Sequence, residues 1–598
     1  MSADQFDAPD APGFKLDPRV VGAFGHFAGG FWQGSTRFRA WALTLGLACF
    51  LILSTAATVA MNHWNRWFFD SLEARDVTAV TNSVLVFGLI VAAMAAIGVG
   101  IVLTRETLQV RWRAWLVERL VDRWLSNRRF YHLNVTGKEP PNPEYRISDD
   151  TRWATEPLVD LGIGLVLAVV GAAAFISILW TVGGSITFDP GTGPITIPAY
   201  MVWVALAYGT IASGLMLWVG SPLVGFVGRK NEAEGYFRFG MMRIRDNAET
   251  VALMNGARYE QAVLSRFYQT VVARWMAIVW QHGHLTWITN ASGPMIPVVP
   301  LLFAAPKYLA GELTLGQVTQ LAAAFVQVQI AISWVVDNYN RVAEWYASAR
   351  RVMDIVTACD SIDQEVATRS SLETRTNTAA GVALQDIAIA DGTGRPLIAE
   401  ASLTVSPGET VHISGESSTG KSVLVRALAG LWPCERGTLQ IPDSARVMIA
   451  PQKSYLPLGS LRGALLYPDP KLSAPDDELA SALDRVGLPD LVPRLNDVAR
   501  WDQVLANGER QRLTIARLLI HKPDLVVLDD ALSALEEPVQ ASMLSCLKAD
   551  LPGTTIISLG QRRAPEGPHD RQFALERNGP DGAALVAAPR SGALAKAT

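Results

Sequence analysis

Cysteine is scarce in this sequence, and its arrangement excludes two kinds of site. The 598 residues include four cysteines, at positions 49, 359, 434 and 546, with no CxxC pair among them. Scattered single cysteines form neither a disulfide framework nor a thiolate metal site. We therefore expect isolated, reduced thiols.

Charged residues are also few. They make up 18% of the chain, whereas 49% of the residues are hydrophobic. This composition is too apolar for an ordinary soluble enzyme of this length, so it predicts a membrane protein with lipid as one partner. The net charge of −4 carries no basic excess, which argues against nucleic acid as a partner.

Six apolar stretches are long enough to cross a hydrocarbon core of about 30 Å. The first exceeds the apolar core of a cleaved signal peptide, so we interpret it as a retained helix. The stretches lie near residues 40–61, 81–104, 158–182, 199–225, 276–304 and 315–337.

The loops between these stretches differ in positive charge. Segments 105–157 and 226–275 carry ten and eight Lys or Arg residues, whereas the loops on the other side carry two, none and one. This asymmetry predicts that the N-terminus and both long segments are cytoplasmic. Residues 112–125 and 234–254 have helical patterns, so we expect the spans to continue below the membrane surface.

The composition changes after residue 355. A polar, Ser/Thr-rich stretch is followed by short β-branched runs that alternate with helical patterns, which predicts an α/β domain, and then by an Ala/Gly/Pro-rich end. The predicted organisation is a cytoplasmic or interfacial segment (1–36), a six-helix transmembrane domain (37–355), a linker (356–381), a nucleotide-binding domain (382–575) and a disordered tail (576–598).

The α/β domain contains a phosphate-binding motif. GESSTGKS at 415–422 fits G-x-x-x-x-G-K-[ST], follows the strand-like run VHIS and opens a helix. The glycines let backbone N–H groups surround phosphate oxygens, Lys421 supplies a charge for the outer phosphates, and the Ser422 hydroxyl is a ligand for Mg²⁺. The predicted ATP-binding residues here are Gly415, Glu416, Ser417, Ser418, Thr419, Gly420, Lys421, Ser422 and Val423.

A second motif, LVVLDD at 525–530, is an apolar strand that ends in two acids. Asp529 is positioned to hold Mg²⁺ through water, and Asp530 stands where a general base would meet the attacking water. The sequence therefore predicts ATP and Mg²⁺ as ligands.

Together these motifs resemble the ATPase domain of ABC transporters. The resemblance places Gln452 at the glutamine loop that senses Mg²⁺, Glu536 in the D-loop and Gln561 at the switch position. It also places LANGE (505–509) at the signature, which acts on the ATP of the opposite subunit through Ala506, Asn507, Gly508 and Glu509.

The membrane half resembles the BacA/SbmA-related peptide uptake proteins that carry their own ATPase, with the peroxisomal fatty-acyl half-transporters as close competitors. This resemblance implies an exporter-type six-helix fold followed by an α/β P-loop ATPase domain, a homodimer in a bacterial inner membrane, and uptake of hydrophilic solutes such as peptides or cobalamin. It rests on segments 64–76, 142–150, 234–239, 249–260, 305–320 and 336–352.

Several residues at the signature, catalytic and switch positions differ from the usual ABC pattern. The signature serine is replaced by Ala506, the catalytic glutamate by Asp530 and the switch histidine by Gln561. A lost neutral hydrogen bond costs about 0.5–1.5 kcal/mol, and a catalytic group displaced by about 1 Å costs on the order of 10²-fold in rate. We expect ATP binding with slow hydrolysis.

The sixth span offers a candidate solute path. Gln317, Gln320 and Gln327 lie on one helical face and predict a hydrophilic cavity, although amides that join helices within a bundle explain them nearly as well. Two alternatives to an ATP-driven importer stay open. One is a gradient-driven transporter or channel regulated by nucleotide, and the other is a lipid or acyl-chain exporter.

Overall fold

The computed structural model describes residues 17–188, 195–368, 373–377, 381–390, 395–416, 419–432, 436–442, 445–561, 568–577 and 582–587. The chain divides into two compact units, Met1–Ile362 and Asp363–Thr598.

The first unit is helical. Its helices are α1 (Pro18–Gly29), α2 (Arg37–Glu73), α3 (Val77–Leu125), α4 (Arg129–Val135), α5 (Pro143–Tyr145), α6 (Thr151–Gly183), α7 (Tyr200–Gly220), α8 (Leu223–Asp246), α9 (Ala248–Leu253), α10 (Ala257–Ser292), α11 (Met295–Leu309), α12 (Leu315–Asp337) and α13 (Tyr339–Thr368). Strands β1 (Ser185–Phe188) and β2 (Ile195–Pro198) form an antiparallel pair.

Within the described residues of this unit, six continuous or nearly continuous helical rods are long and apolar enough to cross a membrane. They confirm the six predicted spans. The rods run well beyond the hydrocarbon core: α3 alone has 49 residues, roughly 74 Å at 1.5 Å per residue, against a core of about 30 Å. Its start is defined by Asp76, whose carboxylate accepts hydrogen bonds from the N–H groups of Thr78 and Ala79.

The N-terminal helix α1 packs into the protein core rather than projecting from it. Asp17 caps it by accepting a hydrogen bond from the Arg19 N–H, and Phe24 and Phe31 are 1% and 2% exposed. The indole of Trp112 on α3 donates to the carbonyl of Ala28. The apolar stretch before the first span is therefore a helix packed against α3.

Two sequence motifs that lie far apart in the chain meet at the Arg146–Asp150 turn of π-helix before α6. The guanidinium of Arg351 on α13 donates to both carboxylate oxygens of Asp150, at 2.8 and 2.6 Å, and the Asp150 side chain is fully buried. Arg146 in turn donates to the Arg351 carbonyl and to Asp354. Segments 142–150 and 336–352 thus form one ion-pair network.

Another motif pair meets at the opposite end of the last span. Carboxylates of Asp70 and Glu73 on α2 accept hydrogen bonds from the backbone N–H groups of Gly316 and Leu315, where α12 begins. A Cβ at Gly316 would lie 2.2 Å from the carbonyl oxygen of Arg66, so only glycine fits. Segments 64–76 and 305–320 therefore form a capped helix start.

The second unit is an α/β domain. Its strands are β3 (Glu373–Asn377), β4 (Val382–Ala390), β5 (Pro396–Val405), β6 (Thr410–Ser414), β7 (Arg436–Pro442), β8 (Val447–Ala450), β9 (Gly459–Ser460), β10 (Val498–Ala499), β11 (Leu525–Asp529), β12 (Thr555–Gly560), β13 (Arg571–Arg577) and β14 (Ala583–Ala587). Its helices are α14 (Lys421–Leu428), α15 (Leu461–Leu466), α16 (Asp476–Arg485), α17 (Trp501–Val504), α18 (Asn507–His521) and α19 (Glu537–Asp550).

Ten of these strands form one sheet in the order β3-β7-β4-β5-β14-β13-β6-β12-β11-β8. Each strand in the series β13, β6, β12, β11 and β8 is parallel to the next one in that series, and β6 and β11 are each followed by a helix. The central strands β6 and β11 are buried almost throughout, which accounts for their continuous apolar runs.

Two sequence-based boundaries differ from the observed elements. Helix α13 continues to Thr368, into the segment predicted to be a linker, because its apolar face, including Ile355, Cys359 and Ile362, stays buried. Strand β14 lies inside the segment predicted to be a disordered tail and pairs with β13 and β5. Its short, Ala-rich sequence gave little sign of a strand.

Candidate functional site

The phosphate-binding loop follows strand β6 and leads directly into α14. Gly420 has φ of 101°, a left-handed conformation that suits glycine. A Cβ at Gly415 would lie 2.9 Å from the Thr419 hydroxyl, so the loop is too tight for a side chain there. Ser417 and Ser418, predicted to bind phosphate, lie outside the described residues. Val423 is half-buried on the first turn of α14.

The side chain of Lys421 is held by hydrogen bonds to the backbone of the phosphate-binding loop. Its Nζ donates to the carbonyls of Gly415 at 2.6 Å and Glu416 at 2.7 Å. Burial lowers the pKa of the ammonium, and the nearby carboxylates of Asp530 and Asp529 act in the opposite direction. A positive charge is therefore fixed at the mouth of the loop, beside the two acids of the second motif.

The parallel register of the sheet brings the separate motifs to one edge. Ser414 at the end of β6 pairs with Gly560 at the end of β12, and Leu559 pairs with Asp529 at the end of β11. Gln561, which is exposed, follows Gly560 directly. Because carboxyl ends of parallel strands meet at the same edge, the loop, the acids and the switch glutamine are neighbours.

Asp529 forms the link between the two main motifs. Burial, followed by the charge of Asp530, raises the pKa of Asp529. The nearby hydroxyl of Ser422 on α14 opposes this rise. A hydroxyl and a carboxylate held together are oxygen donors that suit Mg²⁺, so the residues present fit the predicted metal.

Asp530 is held in an unusual backbone conformation. Its φ is 49°, which is uncommon for a residue with a side chain, and its N–H donates to the carbonyl of Leu559 at 2.9 Å. Such a conformation costs on the order of 1–3 kcal/mol and concentrates at functional sites. It turns the chain away from β11 immediately after Asp529.

Gln452 lies two residues beyond Ala450, the last residue of β8, and is exposed. Strand β8 pairs in parallel with β11, with Ala450 opposite Leu528. Gln452 is therefore placed at the same edge of the sheet as Asp529 and Asp530.

The signature residues form the start of helix α18. The N–H of Ala506 donates to the carboxylate of Glu509 at 2.8 Å, and Asn507 accepts a hydrogen bond from Arg510. Ala506 has no hydroxyl, so only the Glu509 half of a capping box is present. A Cβ at Gly508 would lie 3.2 Å from Leu535, which keeps this turn close to the segment after β11. The action of these signature residues on the ATP of a partner subunit stays a prediction.

A glutamine that the sequence reasoning missed connects this helix to the D-loop segment. Gln511, 5% exposed, accepts a hydrogen bond from the N–H of Ala534 at 2.8 Å. Glu536 follows and is the N-terminal cap residue of α19. The only available signal was a polar residue on the buried face of an amphipathic helix.

A histidine pair, of which His412 is buried and His569 half-buried, also went unpredicted. The Ser558 hydroxyl on β12 lies 2.8 Å from His412 Nδ1 on β6 and 2.9 Å from His569 Nε2. Burial, with a smaller contribution from His412, lowers the pKa of His569 to about 4. On β6 and β12, His412 and Ser558 lie two residues before the strand ends that lead into the phosphate loop and Gln561.

In the membrane unit the glutamines of α12 have separate surroundings. Gln317 accepts a hydrogen bond from the Thr314 N–H and so caps the helix start, whereas Gln320 is fully buried against Asn62 and His63 of α2. Gln327 is half-buried. A shared hydrophilic cavity for these residues remains a prediction, because it concerns the axis between two copies of the chain.

Comparison with known proteins agrees with this architecture. The family model for the ABC transporter transmembrane region 2 matches residues 34–309, and the family model described as ABC transporter matches residues 398–533. The chain is an ABC half-transporter. Its six apolar helices and ATPase domain make it a multi-pass membrane protein.

Individual relatives point in the same direction. This half-transporter is 26% identical to the inner membrane ABC transporter ATP-binding protein YddA of Escherichia coli, covering 83% of this chain and 87% of that one. It is 27% identical to the human lysosomal cobalamin transporter ABCD4, covering 79% and 81%. A bacterial Atm1-family ABC exporter solved with ATP bound has the same fold, with a TM-score of 0.67, 17% identity, and coverage of 90% and 93%.

Proposed function

We propose that this half-transporter works as a homodimer in a bacterial inner membrane, binds ATP and Mg²⁺ on its cytoplasmic domain, and imports peptides or similar hydrophilic solutes. The observation that carries the nucleotide part is the placement of four side chains at one sheet edge. Lys421 lies near Asp529 and Asp530, and the Ser422 hydroxyl lies near Asp529.

Lys421 and the loop N–H groups would bind the phosphates, while Ser422, Asp529 and Gln452 would hold Mg²⁺, which supplies charge neutralisation on the phosphate oxygens when bound. Asp530 would orient and deprotonate the attacking water. Because its carboxylate is one methylene shorter than that of glutamate, and because Gln561 cannot become cationic, hydrolysis is expected to be slow.

The substrate class rests on the resemblance of the membrane motifs to peptide uptake proteins, and the name of the human relative adds cobalamin as a further hydrophilic solute. The test is uptake of a labelled peptide into proteoliposomes that contain the purified chain. ATP and a proton gradient are imposed separately, with Lys421→Ala as the matched control. ATP-dependent uptake that disappears in Lys421→Ala supports the proposal.

A second candidate is a gradient-driven transporter whose ATPase domain only regulates opening. The exchanged residues Ala506, Asp530 and Gln561 favour it, because each weakens a contact that serves hydrolysis. Uptake driven by the proton gradient without ATP would select this candidate. Export of an acyl chain or lipid, the third reading, predicts no uptake of the peptide in either condition.

A further inference from the structure

The membrane unit contains a half-open cavity of about 220 Å³ between α7, α10, α11 and α12. Most of its wall is apolar, including Met216, Ile288 and Ile330. Binding sites for drug-sized molecules usually measure about 300–1,000 Å³. The cavity is therefore suited to one end group of a solute rather than to a whole peptide.

The polar side chains in the wall have already used most of their hydrogen-bond donors. The acceptors are all within the protein, and mostly backbone carbonyls. Tyr208 donates to Ser292 O at 2.6 Å, Gln329 to Ala205 O at 2.8 Å, Thr289 to Leu285 O at 3.1 Å, Ser292 to Thr289 O at 3.5 Å and Ser333 to Asp337 at 2.9 Å. The wall therefore offers mainly oxygen lone pairs, which attract a ligand that has donors.

Asp337 supplies a negative charge at one end of the cavity. It is the last residue of α12, it is exposed, and its carboxylate accepts a hydrogen bond from Ser333 one turn earlier. Among the residues that the structure describes, Asp337 has no ion-pair partner. The nearby Arg341 is paired with Asp160 at 3.1 Å. This carboxylate is thus available to a cation from outside the chain.

We propose that this cavity binds an organic cation, with an ammonium or guanidinium group at Asp337 and an adjoining apolar group against Met216, Ile288 and Ile330. An ammonium has three donors and no acceptor, so it matches a wall in which most of the donors are already used. An anionic amphiphile, such as a fatty acid, would meet the carboxylate as a like charge. As a description of the transported solute, this inference rests on the proposed import function.

The test is equilibrium binding to the full-length protein in nanodiscs without nucleotide, so that a failure of ATP-driven transport does not affect the result. The probes are radiolabelled 2-phenylethylammonium and its anionic counterpart 3-phenylpropionate. The end-blocked dipeptide Phe-Lys, used as a competitor, distinguishes a basic peptide from a free amine as the natural source of the cation.

We expect saturable binding of the cation and none of the anion. Asp337→Asn should weaken cation binding about tenfold or more, because it keeps the shape and removes the charge. Asp337→Glu should restore binding to within about threefold. Ala212→Trp, which fills the cavity, should abolish binding, whereas Asp246→Asn, an exposed carboxylate outside the cavity, should have no effect.

Equal binding of the anion, or unchanged cation binding in Asp337→Asn, would overturn the inference. Unchanged binding in Ala212→Trp would show that the cation lies elsewhere. Cation binding without any uptake in proteoliposomes would leave this site standing and remove the import function instead. Competition by Phe-Lys would identify a basic peptide as the source, and its absence would identify a free organic amine.

Discussion

The Ser422 hydroxyl at the start of α14 lies close enough to the Asp529 carboxylate at the end of β11 to lower the pKa of that acid. This contact opposes the rise that burial causes in the pKa of Asp529. It therefore helps to keep the carboxylate ionised, the form that a metal ion requires.

Replacing Ser422 with alanine should weaken Mg²⁺-dependent ATP binding more than binding of metal-free ATP. The variant loses the hydroxyl that is proposed to bind the metal and that also lowers the pKa of Asp529, and a hydrogen bond to a charged group contributes about 1.5–3 kcal/mol. Titration with a fluorescent ATP analogue, with and without Mg²⁺, measures the difference. Ser422→Thr retains the hydroxyl and serves as the control. Equal losses in both conditions would contradict the metal role.

Lys421→Ala should abolish detectable ATP binding, because no other cation in the loop can reach the outer phosphates. Burial lowers the pKa of Lys421, so its charge is lost at a lower pH than that of an ordinary lysine. We therefore expect the ATP affinity of the parent protein to fall as pH rises through this lowered pKa, and Lys421→Arg to shift that fall upward. Labelled ATP that binds Lys421→Ala as tightly as the parent would disprove the site.

The loss of stability on breaking the buried ion pair between Asp150 and Arg351 should depend on which of the two residues is replaced. Arg351→Met leaves a fully buried carboxylate unpaired, which costs about 3–5 kcal/mol. Asp150→Asn should cost less, because the Arg351 side chain is 42% exposed and can turn to water. Apparent melting temperatures in detergent compare the two variants. A larger loss in Asp150→Asn would show that the pair is not the dominant contact.

Acid should destabilise the ATPase domain through His569. Its pKa is about 4 in the folded state against 6.5 when unfolded, so the unfolded chain binds more protons between these values. The contribution of His569 to the free energy of unfolding is therefore fully present above pH 6.5. It is lost as the pH decreases towards 4, by up to about 3 kcal/mol. In His569→Gln this part of the pH dependence should disappear. The measurement is thermal unfolding at several pH values, and parallel curves for both proteins would refute the assignment.

The sequence predicted those parts of the structure that depend on residues close together in the chain. The run VHIS, the glycine loop and the helix from Lys421 lie together in the chain, so strand, loop and helix could be assigned from one motif. Long-range partners could not: nothing in segment 142–150 indicated that Asp150 would meet Arg351, because that pairing depends on how α6 and α13 pack. Gln511 was missed for the same reason, since its acceptor role exists only once Ala534 lies beside α18.

The proposed role of Asp530 as general base can be tested by lengthening its side chain. If its carboxylate is a general base drawn back by one methylene, Asp530→Glu should extend its reach and raise ATP turnover, up to the order of 10²-fold that such a displacement costs. Gln561 is expected to limit the gain, because a glutamine at the proposed switch position would hydrogen-bond phosphate without carrying charge. The double variant Asp530→Glu with Gln561→His should therefore exceed either single change, and the two effects should not be additive, since both residues act on one phosphate.

Steady-state phosphate release from the purified protein measures this series, with Asp530→Asn as the control. The asparagine variant keeps the size of the side chain and its hydrogen bonding but cannot take a proton, so ATP binding should persist while turnover stops. The positive φ at Asp530 suits aspartate and asparagine, so Asp530→Asn adds no backbone cost, whereas Asp530→Glu adds one. Because this cost does not favour activity, a rise in turnover in Asp530→Glu reports on the carboxylate rather than on the backbone. Unchanged turnover in Asp530→Glu, from a parent that is already fast, would mean that neighbouring groups compensate and that hydrolysis at this site is not slow.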